Sequence, residues 1–167
     1  MKFGIIGAGM IANFHAEAIK AMAGGELHSF YGRRQDAVDE LVAAHGGKGY
    51  TDLDEFLADP DLVIVTIATP SGAHLEPALA AAKAGKHIIC EKPLEVTPER
   101  IDLMISACED AGVTLSGIFN RRFHPAMDAF KKAVDDGRFG TLTMCDAYVK
   151  WYRDQAYYDT GARRGTW

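Results

Sequence analysis

Apolar residues in the first 120 positions alternate between short continuous runs and helical spacing. Continuous apolar runs are typical of strands that are buried on both faces of a parallel sheet. Such runs lie at residues 2–6, 27–31, 62–67, 87–90 and 113–118. We therefore predict five core strands, and the run at 62–67, rich in Val and Ile, has the clearest strand pattern.

The segments between these runs carry the spacing of amphipathic helices. We predict helices at 10–22, 36–45, 75–84 and 97–111, and a short helix that Thr51 caps and that continues to Leu57. On the first helix, the predicted buried side consists of Ile11, Phe14, Ala18 and Met22. Because strands that alternate with helices form right-handed βαβ units, the predicted fold class is α/β, with a doubly wound parallel-sheet Rossmann domain at residues 1–120.

Residues 121–167 differ in character from the first part of the chain. A helix is predicted at 125–136 and a longer strand at 142–151, and six aromatic residues fall within 141–167. A single strand with so many aromatic neighbours would leave its backbone groups and its apolar face exposed. We therefore expect a linker helix and the start of a truncated α+β substrate or oligomerisation domain, so that the chain is an N-terminal fragment.

The composition narrows the possible function classes. The 167 residues are 48% apolar and 25% charged, with a formal net charge of −5, as in an ordinary folded protein. Binding to nucleic acid or to anionic membranes needs clustered positive charge, which is missing, and the longest apolar run, 62–68, is far shorter than the roughly 20 residues of a membrane span. No secretory signal follows Lys2, and the cysteines, Cys90, Cys108 and Cys145, form no metal-ligand set. We expect reduced thiols, a cytoplasmic location and no bound metal.

A glycine-rich loop follows the first predicted strand. The segment that fits the pattern G-x-G-x-x-A is Gly7-Ala8-Gly9-Met10-Ile11-Ala12. Gly7 permits a tight turn, Gly9 lets the backbone approach a pyrophosphate, and Ala12 allows close packing of helix on strand, while the helix N-terminus offers N–H groups to the anion. A plain β–α turn is the alternative. A methyltransferase loop fits less well, because Ile11 stands where that loop has its third glycine.

The end of the second strand bears on the choice between NAD and NADP. NAD enzymes usually carry an acidic residue there, which binds the ribose 2′-hydroxyl, but here the segment is Phe30-Tyr31-Gly32-Arg33-Arg34. The guanidinium groups of Arg33 and Arg34 suit a 2′-phosphate. We therefore favour NADP, with NAD still open, and a solvated basic turn is the alternative for both arginines.

A charged tripeptide, Glu91-Lys92-Pro93, follows the predicted strand 87–90. In a doubly wound sheet this position lies at the carboxyl edge, beside the ligand crevice. The Lys92 ammonium group could stabilise developing negative charge or transfer a proton there. A surface lysine paired with Glu91 is the alternative.

Several motifs occur in a fixed order along the chain. After the glycine loop come Thr69-Pro70-Ser71-Gly72-Ala73-His74, Ala84-Gly85-Lys86-His87, Glu91-Lys92-Pro93 and Asn120-Arg121-Arg122-Phe123-His124-Pro125. This set closely resembles the Gfo/Idh/MocA family of glucose–fructose oxidoreductase, inositol dehydrogenase and their relatives. The resemblance covers essentially all of the chain, and the Glu-Lys-Pro tripeptide is its most specific part.

The resemblance implies roles for the residues at matching positions. A dinucleotide site is implied at Gly7, Gly9, Met10, Ile11, Ala12, Ala68, Thr69, Pro70 and His74. Glu91 and Lys92 would lie at the nicotinamide, with Lys92 catalytic, and Asn120 and Arg121 would lie beside it.

The family pattern is incomplete in this sequence. The segment 164–167, Arg-Gly-Thr-Trp, resembles the start of the family's substrate-domain loop, but the Asp/His segment that supplies the usual general acid/base is absent. The histidines that are present are expected to be structural or at the surface, except that His74 is expected to contact the cofactor loop; they are His15, His28, His45, His74, His87 and His124.

The implied activity is hydride transfer between NAD(P) and a hydroxyl-bearing carbon of a sugar, cyclitol or nucleotide-sugar, in a protein that forms a homo-oligomer. The implied partner is this small molecule, with no nucleic acid and no membrane. A dinucleotide-binding module without catalysis, such as a redox sensor, is the alternative. A short-chain dehydrogenase is disfavoured, because the chain contains no Tyr-x-x-x-Lys pair.

Overall fold

Six strands of the chain form one parallel sheet. The computed structural model describes residues 1–159, and the strands are β1 (Lys2–Ile6), β2 (Glu26–Tyr31), β3 (Lys48–Tyr50), β4 (Ile64–Ile67), β5 (His87–Cys90) and β6 (Leu115–Gly117). Every neighbouring pair is parallel, in the order β3-β2-β1-β4-β5-β6. This order confirms the predicted doubly wound Rossmann sheet, and the direction of winding reverses between β1 and β4, where such sheets open a crevice for ligands.

Helices connect the strands and cover both faces of the sheet. They are α1 (Met10–Ala21), α2 (Gln35–His45), α3 (Leu53–Ala58), α4 (Leu75–Lys83) and α5 (Pro98–Asp110), and a 3₁₀ turn at Asn120–Phe123 follows β6. The buried apolar residues form two clusters, one around Phe56 and Ile67 and the other around Ile5 and Phe30. Among residues 1–159, none of the helices combines the length and apolar character needed to cross a membrane.

Three local features differ from the sequence-based expectations. Strand β3 has only three residues and lies at the sheet edge, so its pattern is too short to recognise. The cap of α3 is Asp52, whose carboxylate accepts from the Glu55 N–H at 2.9 Å, and not its neighbour Thr51. The predicted buried side of α1 is wrong, since Phe14 is 65% exposed. The residues that α1 buries are Ala12, His15, Ala16 and Ile19, because small side chains let the helix lie close to the sheet.

The chain divides into two compact units, Met1–Phe123 and His124–Trp167. The second unit contains α6 (Pro125–Asp135) and α7 (Gln155–Asp159), and neither helix buries a residue. The strand predicted at 142–151 does not form, because no described segment pairs with its backbone, and its apolar side chains are exposed. The predicted substrate-loop segment 164–167 lies outside the described residues.

A buried carboxylate joins three elements near the amino edge of the sheet. Asp59, in the connection between α3 and β4, accepts hydrogen bonds from His28 at 2.9 Å, Lys48 at 2.8 Å and Tyr50 at 2.9 Å, and from the Asp61 N–H at 3.0 Å. The hydrogen bond from Lys48, with those from His28, Asp61 and Tyr50, outweighs burial and holds the pKa of Asp59 well below its usual range. The ionised carboxylate therefore stabilises the fold at neutral pH.

We expect Asp59→Asn to lower the free energy of unfolding by about 1.5–3 kcal/mol, since several donors lose a charged acceptor. Because the folded-state pKa of Asp59 is depressed, its contribution is complete above the usual carboxyl pKa of about 4 and is lost as the pH falls below it. Urea unfolding at neutral and acidic pH measures both effects, and the variant should lose less stability in acid than the wild type. The matched control is Asp61→Asn, whose carboxylate is 58% exposed and pairs with Lys2, with an expected change under about 1 kcal/mol. Equal losses in the two variants would contradict this account.

Candidate dinucleotide site

Gly7 makes the turn that brings the glycine loop against β4. Its φ of +115° lies in the region that L side chains rarely adopt, and a Cβ atom there would lie 2.8 Å from the carbonyl carbon and oxygen of Ala68. The Gly7 N–H donates to the Tyr31 carbonyl at 2.8 Å, and the Ala68 N–H donates to the Ile6 carbonyl at 2.8 Å. The loop therefore lies in contact with the carboxyl ends of both strands that neighbour β1.

Gly9 leaves space open at the start of α1. It is the N-cap residue, its backbone is extended, and a Cβ atom built on it would meet no heavy atom within 4 Å. No side chain caps the helix there, and its first turn holds no acidic residue. The first N–H groups and the positive end of the helix dipole thus face open space, an arrangement that favours an anion, and the absence of a Cβ keeps that space clear.

Helix α4, which begins after β4 on the other side of the reversal, has its N-terminus occupied by the chain itself. The buried Glu95 carboxylate accepts from the Leu75 N–H at 2.9 Å and the His74 N–H at 3.3 Å. Burial opposes ionisation, but hydrogen bonds from the N–H groups of Leu75 and Val96 and from Arg100 hold the pKa of Glu95 below its usual value. Of the two helices beside the reversal, only α1 offers its N-terminus to a ligand.

The turn after β2 is packed against the glycine loop. A Cβ atom on Gly32 would lie 2.7 Å from the Cβ of Ala8, and the Gly32 N–H donates to the Tyr50 carbonyl at 3.1 Å. Arg33 and Arg34 follow directly and are exposed, and Arg34 lies 3.6 Å from Asp36. Two exposed arginines therefore follow β2, in a turn that packs against the glycine loop.

The tripeptide after β5 contributes one wall of a cavity. The Glu91 N–H donates to the Ile67 carbonyl at 3.0 Å, which continues the pairing of β4 with β5, and the Lys92–Pro93 peptide bond is cis. The cavity has a volume of about 400 Å³ and is lined by Lys92, Pro93, Phe119, Asn120 and Arg121. Within residues 1–159 the Lys92 ammonium group has no hydrogen-bond partner, so it is available to a ligand.

His74 contacts the loop after β4, as expected, and its place in the dinucleotide site stays a prediction. Its ring is 1% exposed, with Nε2 at 2.9 Å from the Thr69 carbonyl oxygen and Nδ1 at 3.0 Å from that of Pro93 and 3.1 Å from that of Leu94. The imidazole thus connects the loop after β4 to the loop after β5. In the loop after β4, Thr69 and Pro70 lie nearer the solvent than the buried His74 ring.

Two buried side chains that sequence reasoning did not single out lie next to the candidate site, Glu95 and His15. The His15 Nε2 atom lies 3.1 Å from a carboxylate oxygen of Glu91, a buried contact that agrees with the expected structural role. Its position on the buried stripe of α1, three residues after Ala12 and four before Ile19, is the only sequence signal for this arrangement.

Other reactive groups include Cys90, at the end of β5, and a histidine–carboxylate cluster near the amino edge of the sheet. Burial, together with the carboxylates of Glu95 and Glu91, raises the pKa of the Cys90 thiol to about 12, so this cysteine is not a nucleophile. The one described group with metal-ligand spacing is His28, Asp59 and Asp61 near the amino edge, where the Lys48 ammonium group already neutralises Asp59.

The structure brings the predicted site residues to one edge of the sheet. The glycine loop follows β1, and Arg33 and Arg34 follow β2. The loop 68–70 follows β4, Glu91 and Lys92 follow β5, and Asn120 and Arg121 follow β6. The carboxyl ends of parallel strands meet at the same edge, so these segments lie side by side along it.

Comparison with known proteins gives a consistent set of matches. Residues 1–119 match the model of a family described as "Oxidoreductase family, NAD-binding Rossmann fold" (Gfo/Idh/MocA). Inositol 2-dehydrogenase of Rhizobium meliloti (strain 1021) is 35% identical over 144 residues, which are 86% of this chain and 43% of that protein. Glucose-6-phosphate 3-dehydrogenase of Bacillus subtilis (strain 168) is 32% identical over 149 residues, 89% of this chain and 42% of that protein.

A solved structure extends the similarity. The WlbA dehydrogenase from Bordetella pertussis, in complex with NADH and UDP-GlcNAcA, superposes with a TM-score of 0.92 at 34% identity, over 99% of this chain and 52% of that one. The chain therefore spans about half the length of the relatives that it matches.

The two loop glycines should respond differently to the same substitution. We expect Gly7→Ala to lower the free energy of unfolding by at least about 2 kcal/mol, because its positive φ and the Ala68 backbone both oppose a side chain. For Gly9→Ala, whose new methyl group enters open space, we expect a change within about 1 kcal/mol. Chemical unfolding of both variants measures the difference, and a Gly9→Ala variant as unstable as Gly7→Ala would show that the space at Gly9 is not open.

Proposed function

Because the chain belongs to the Gfo/Idh/MocA oxidoreductase family, whose model describes an NAD-binding Rossmann fold, we propose that it is the dinucleotide-binding part of an oxidoreductase. The proposed reaction transfers a hydride between NAD(P) and a hydroxyl-bearing carbon of a sugar, cyclitol or nucleotide-sugar. The observation that carries the proposal is the open space at Gly9, at the N-terminus of α1, on the same sheet edge as the Lys92 ammonium group, which has no hydrogen-bond partner among residues 1–159.

The residues present divide the dinucleotide site into two halves. The N–H groups of Met10 and Ile11 would hold the pyrophosphate, while the Ala12 N–H donates to the Gly9 carbonyl at 3.0 Å and Ala12 contributes close packing. Arg33 and Arg34 would contact the adenosine ribose. The loop 68–70 would lie along the other side of the pyrophosphate. The nicotinamide half would lie toward Glu91 and Lys92, with Asn120 and Arg121 in the cavity wall beyond.

Lys92 is the proposed catalytic residue of this part of the protein. When bound, the dinucleotide supplies the hydride acceptor or donor at its nicotinamide ring. In the reducing direction the Lys92 ammonium group would donate a hydrogen bond to the carbonyl oxygen and deliver its proton there as the hydride reaches the carbon. In the oxidising direction the neutral Lys92 amine would accept the hydroxyl proton as the hydride leaves for the nicotinamide. The cavity of about 400 Å³ beside Lys92 gives a polyhydroxylated ring access to that atom.

The substrate class rests on the relatives. Inositol 2-dehydrogenase, glucose-6-phosphate 3-dehydrogenase and a dehydrogenase in complex with UDP-GlcNAcA are named for cyclic polyols or sugar derivatives. We extend this class to the present protein, in which Lys92, Asn120 and Arg121 supply hydrogen-bond donors to the cavity. Homo-oligomeric assembly is also proposed from the resemblance alone.

The test of the activity uses the protein at the full length that its gene encodes, with a panel of cyclic polyols and sugars. We expect nicotinamide absorbance to change with at least one substrate, and Lys92→Met to lower kcat by about 10²- to 10⁴-fold, as for loss of a general acid or base. ADP-ribose binding should be unchanged in Lys92→Met and lost in Gly9→Ala, because the new methyl group enters the pyrophosphate space. ADP-ribose binding without turnover on any substrate would instead favour a binding module, and full activity of Lys92→Met would exclude the proposed role of Lys92.

We propose that the preferred cofactor is NADP. No acidic side chain stands at the end of β2 to accept a hydrogen bond from a 2′-hydroxyl, and Arg33 and Arg34 lie there, exposed, beside the glycine loop. Arg33 has no partner among residues 1–159, and Arg34 has only an exposed carboxylate at 3.6 Å. Both guanidinium groups can therefore turn toward a phosphate without breaking a buried interaction.

The double variant Arg33→Ala/Arg34→Ala should lower NADPH affinity by about tenfold or more and leave NADH affinity within about twofold, since only NADPH carries the 2′-phosphate. Titration calorimetry with each nucleotide measures the two affinities, and the NADPH preference should shrink as salt is added. The matched control is Arg122→Ala, an exposed arginine in the 3₁₀ turn after β6, four strands away from β2 in the sheet. If the wild type binds NADH as tightly as NADPH, the NADP assignment is wrong and the arginines form a solvated turn.

A further inference from the structure

One polar side chain lies on the buried stripe of α1. Three of the four buried residues of this helix are apolar, namely Ala12, Ala16 and Ile19, and the fourth is His15, which is 8% exposed. A buried imidazole needs hydrogen-bond partners, because an unpaired polar group in the interior costs free energy. One partner of His15 lies on β4 and the other directly follows β5, across the sheet reversal from β1.

The His15 ring connects α1 to the ends of β4 and β5. Its Nδ1 atom lies 3.0 Å from the Thr66 hydroxyl, and its Nε2 atom lies 3.1 Å from the Oε1 atom of Glu91. The other carboxylate oxygen of Glu91, Oε2, accepts the backbone N–H of Lys92 at 3.1 Å. A continuous series of hydrogen bonds therefore runs from β4 through α1 to the backbone of Lys92.

The chemistry of the groups constrains these hydrogen bonds. A carboxylate oxygen accepts, so Nε2 donates to Glu91. A hydroxyl both donates and accepts, so Thr66 is a suitable partner for Nδ1 whether or not that atom carries a proton. Each polar atom in the series has a partner of the opposite kind, and the 4% exposure of Thr66 keeps water from competing there.

We propose that His15 is a positioning residue for the nicotinamide half of the site, an inference that rests on the proposed dinucleotide-binding function. By holding Glu91, a side chain with several rotatable bonds at the mouth of the crevice, His15 fixes the carboxylate and the backbone at Lys92 in one arrangement. Because His15 lies on the helix whose first turn receives the pyrophosphate, the two halves of the dinucleotide site are held at a set separation.

A second buried histidine–carboxylate pair in this domain lies outside the site and serves as a matched control. His28 and Asp59 are both buried and are joined by a hydrogen bond of 2.9 Å, near the amino edge and away from the crevice. Replacing either histidine removes a buried imidazole that donates to a carboxylate. Only the His15 pair leads to the proposed nicotinamide half, so a comparison of the two separates positioning from general stability.

The test measures the affinities of the purified chain for NADH and for ADP-ribose, which has the same pyrophosphate and riboses but no nicotinamide. We expect His15→Leu to weaken NADH binding about tenfold more than ADP-ribose binding. His15→Gln, whose amide N–H can still donate to Glu91, should recover most of that difference. His28→Leu should lower the unfolding midpoint and leave the ratio of the two affinities unchanged.

Glu91→Ala tests the same inference at a half-buried position whose loss the fold can tolerate. If His15 acts through Glu91, this variant shows the same tenfold change in the ratio, and adding His15→Leu to it changes the ratio no further. An unchanged ratio in Glu91→Ala overturns the inference even if His15→Leu does not fold. Equal weakening of both ligands in His15→Leu also overturns it. A folded wild-type chain that binds neither ligand overturns the proposed function together with the inference, which distinguishes the two failures.

Discussion

The contact between Gly7 and the backbone of Ala68 is the constraint on which the rest of the site depends. Because Gly7 has no side chain, the glycine loop can turn in contact with the backbone at the end of β4. Helix α1 therefore begins next to the point between β1 and β4 where the direction of winding reverses. The contact sets where the open N-terminus of α1 lies. It also sets how closely the buried stripe of α1 approaches β4 and β5, since Ala12 and Ala16 lie against the sheet. Packing of the core and placement of the site therefore share one cause.

Local patterns were sufficient to predict the elements that carry their own signal. The parallel sheet, the glycine loop and the charged tripeptide follow from runs of apolar residues and from motifs within a few positions of each other, and the structure agrees with them. Strand β3 was missed because three residues with one half-buried side chain hold too little pattern. The predicted strand at 142–151 was wrong, since strand formation needs a pairing partner that propensity does not supply.

Long-range features of the site were beyond local reasoning. Glu91 is 76 residues from His15 and Glu95 is 20 residues from Leu75, and nothing in the spacing of these residues relates one to the other. The buried side of α1 was predicted from bulky apolar residues, although the close approach of the helix to the sheet selects small ones and leaves Phe14 at the surface. His74 was expected to contact the cofactor loop, and its ring does lie 2.9 Å from the Thr69 carbonyl oxygen, but its contacts with the loop after β5, 19 and 20 residues away, have no signal in the sequence.

Glu95 has a consequence for the side of the crevice on which an anionic group can bind. A dinucleotide is nearly symmetric about its pyrophosphate, and the two helices on either side of the reversal would offer it two equivalent anion sites. With a carboxylate already fixed at the start of α4, a phosphate placed there would meet a like charge that four donors stabilise. Internal negative charge thus excludes an anion from the start of α4 and directs the anionic centre of an extended ligand to the start of α1.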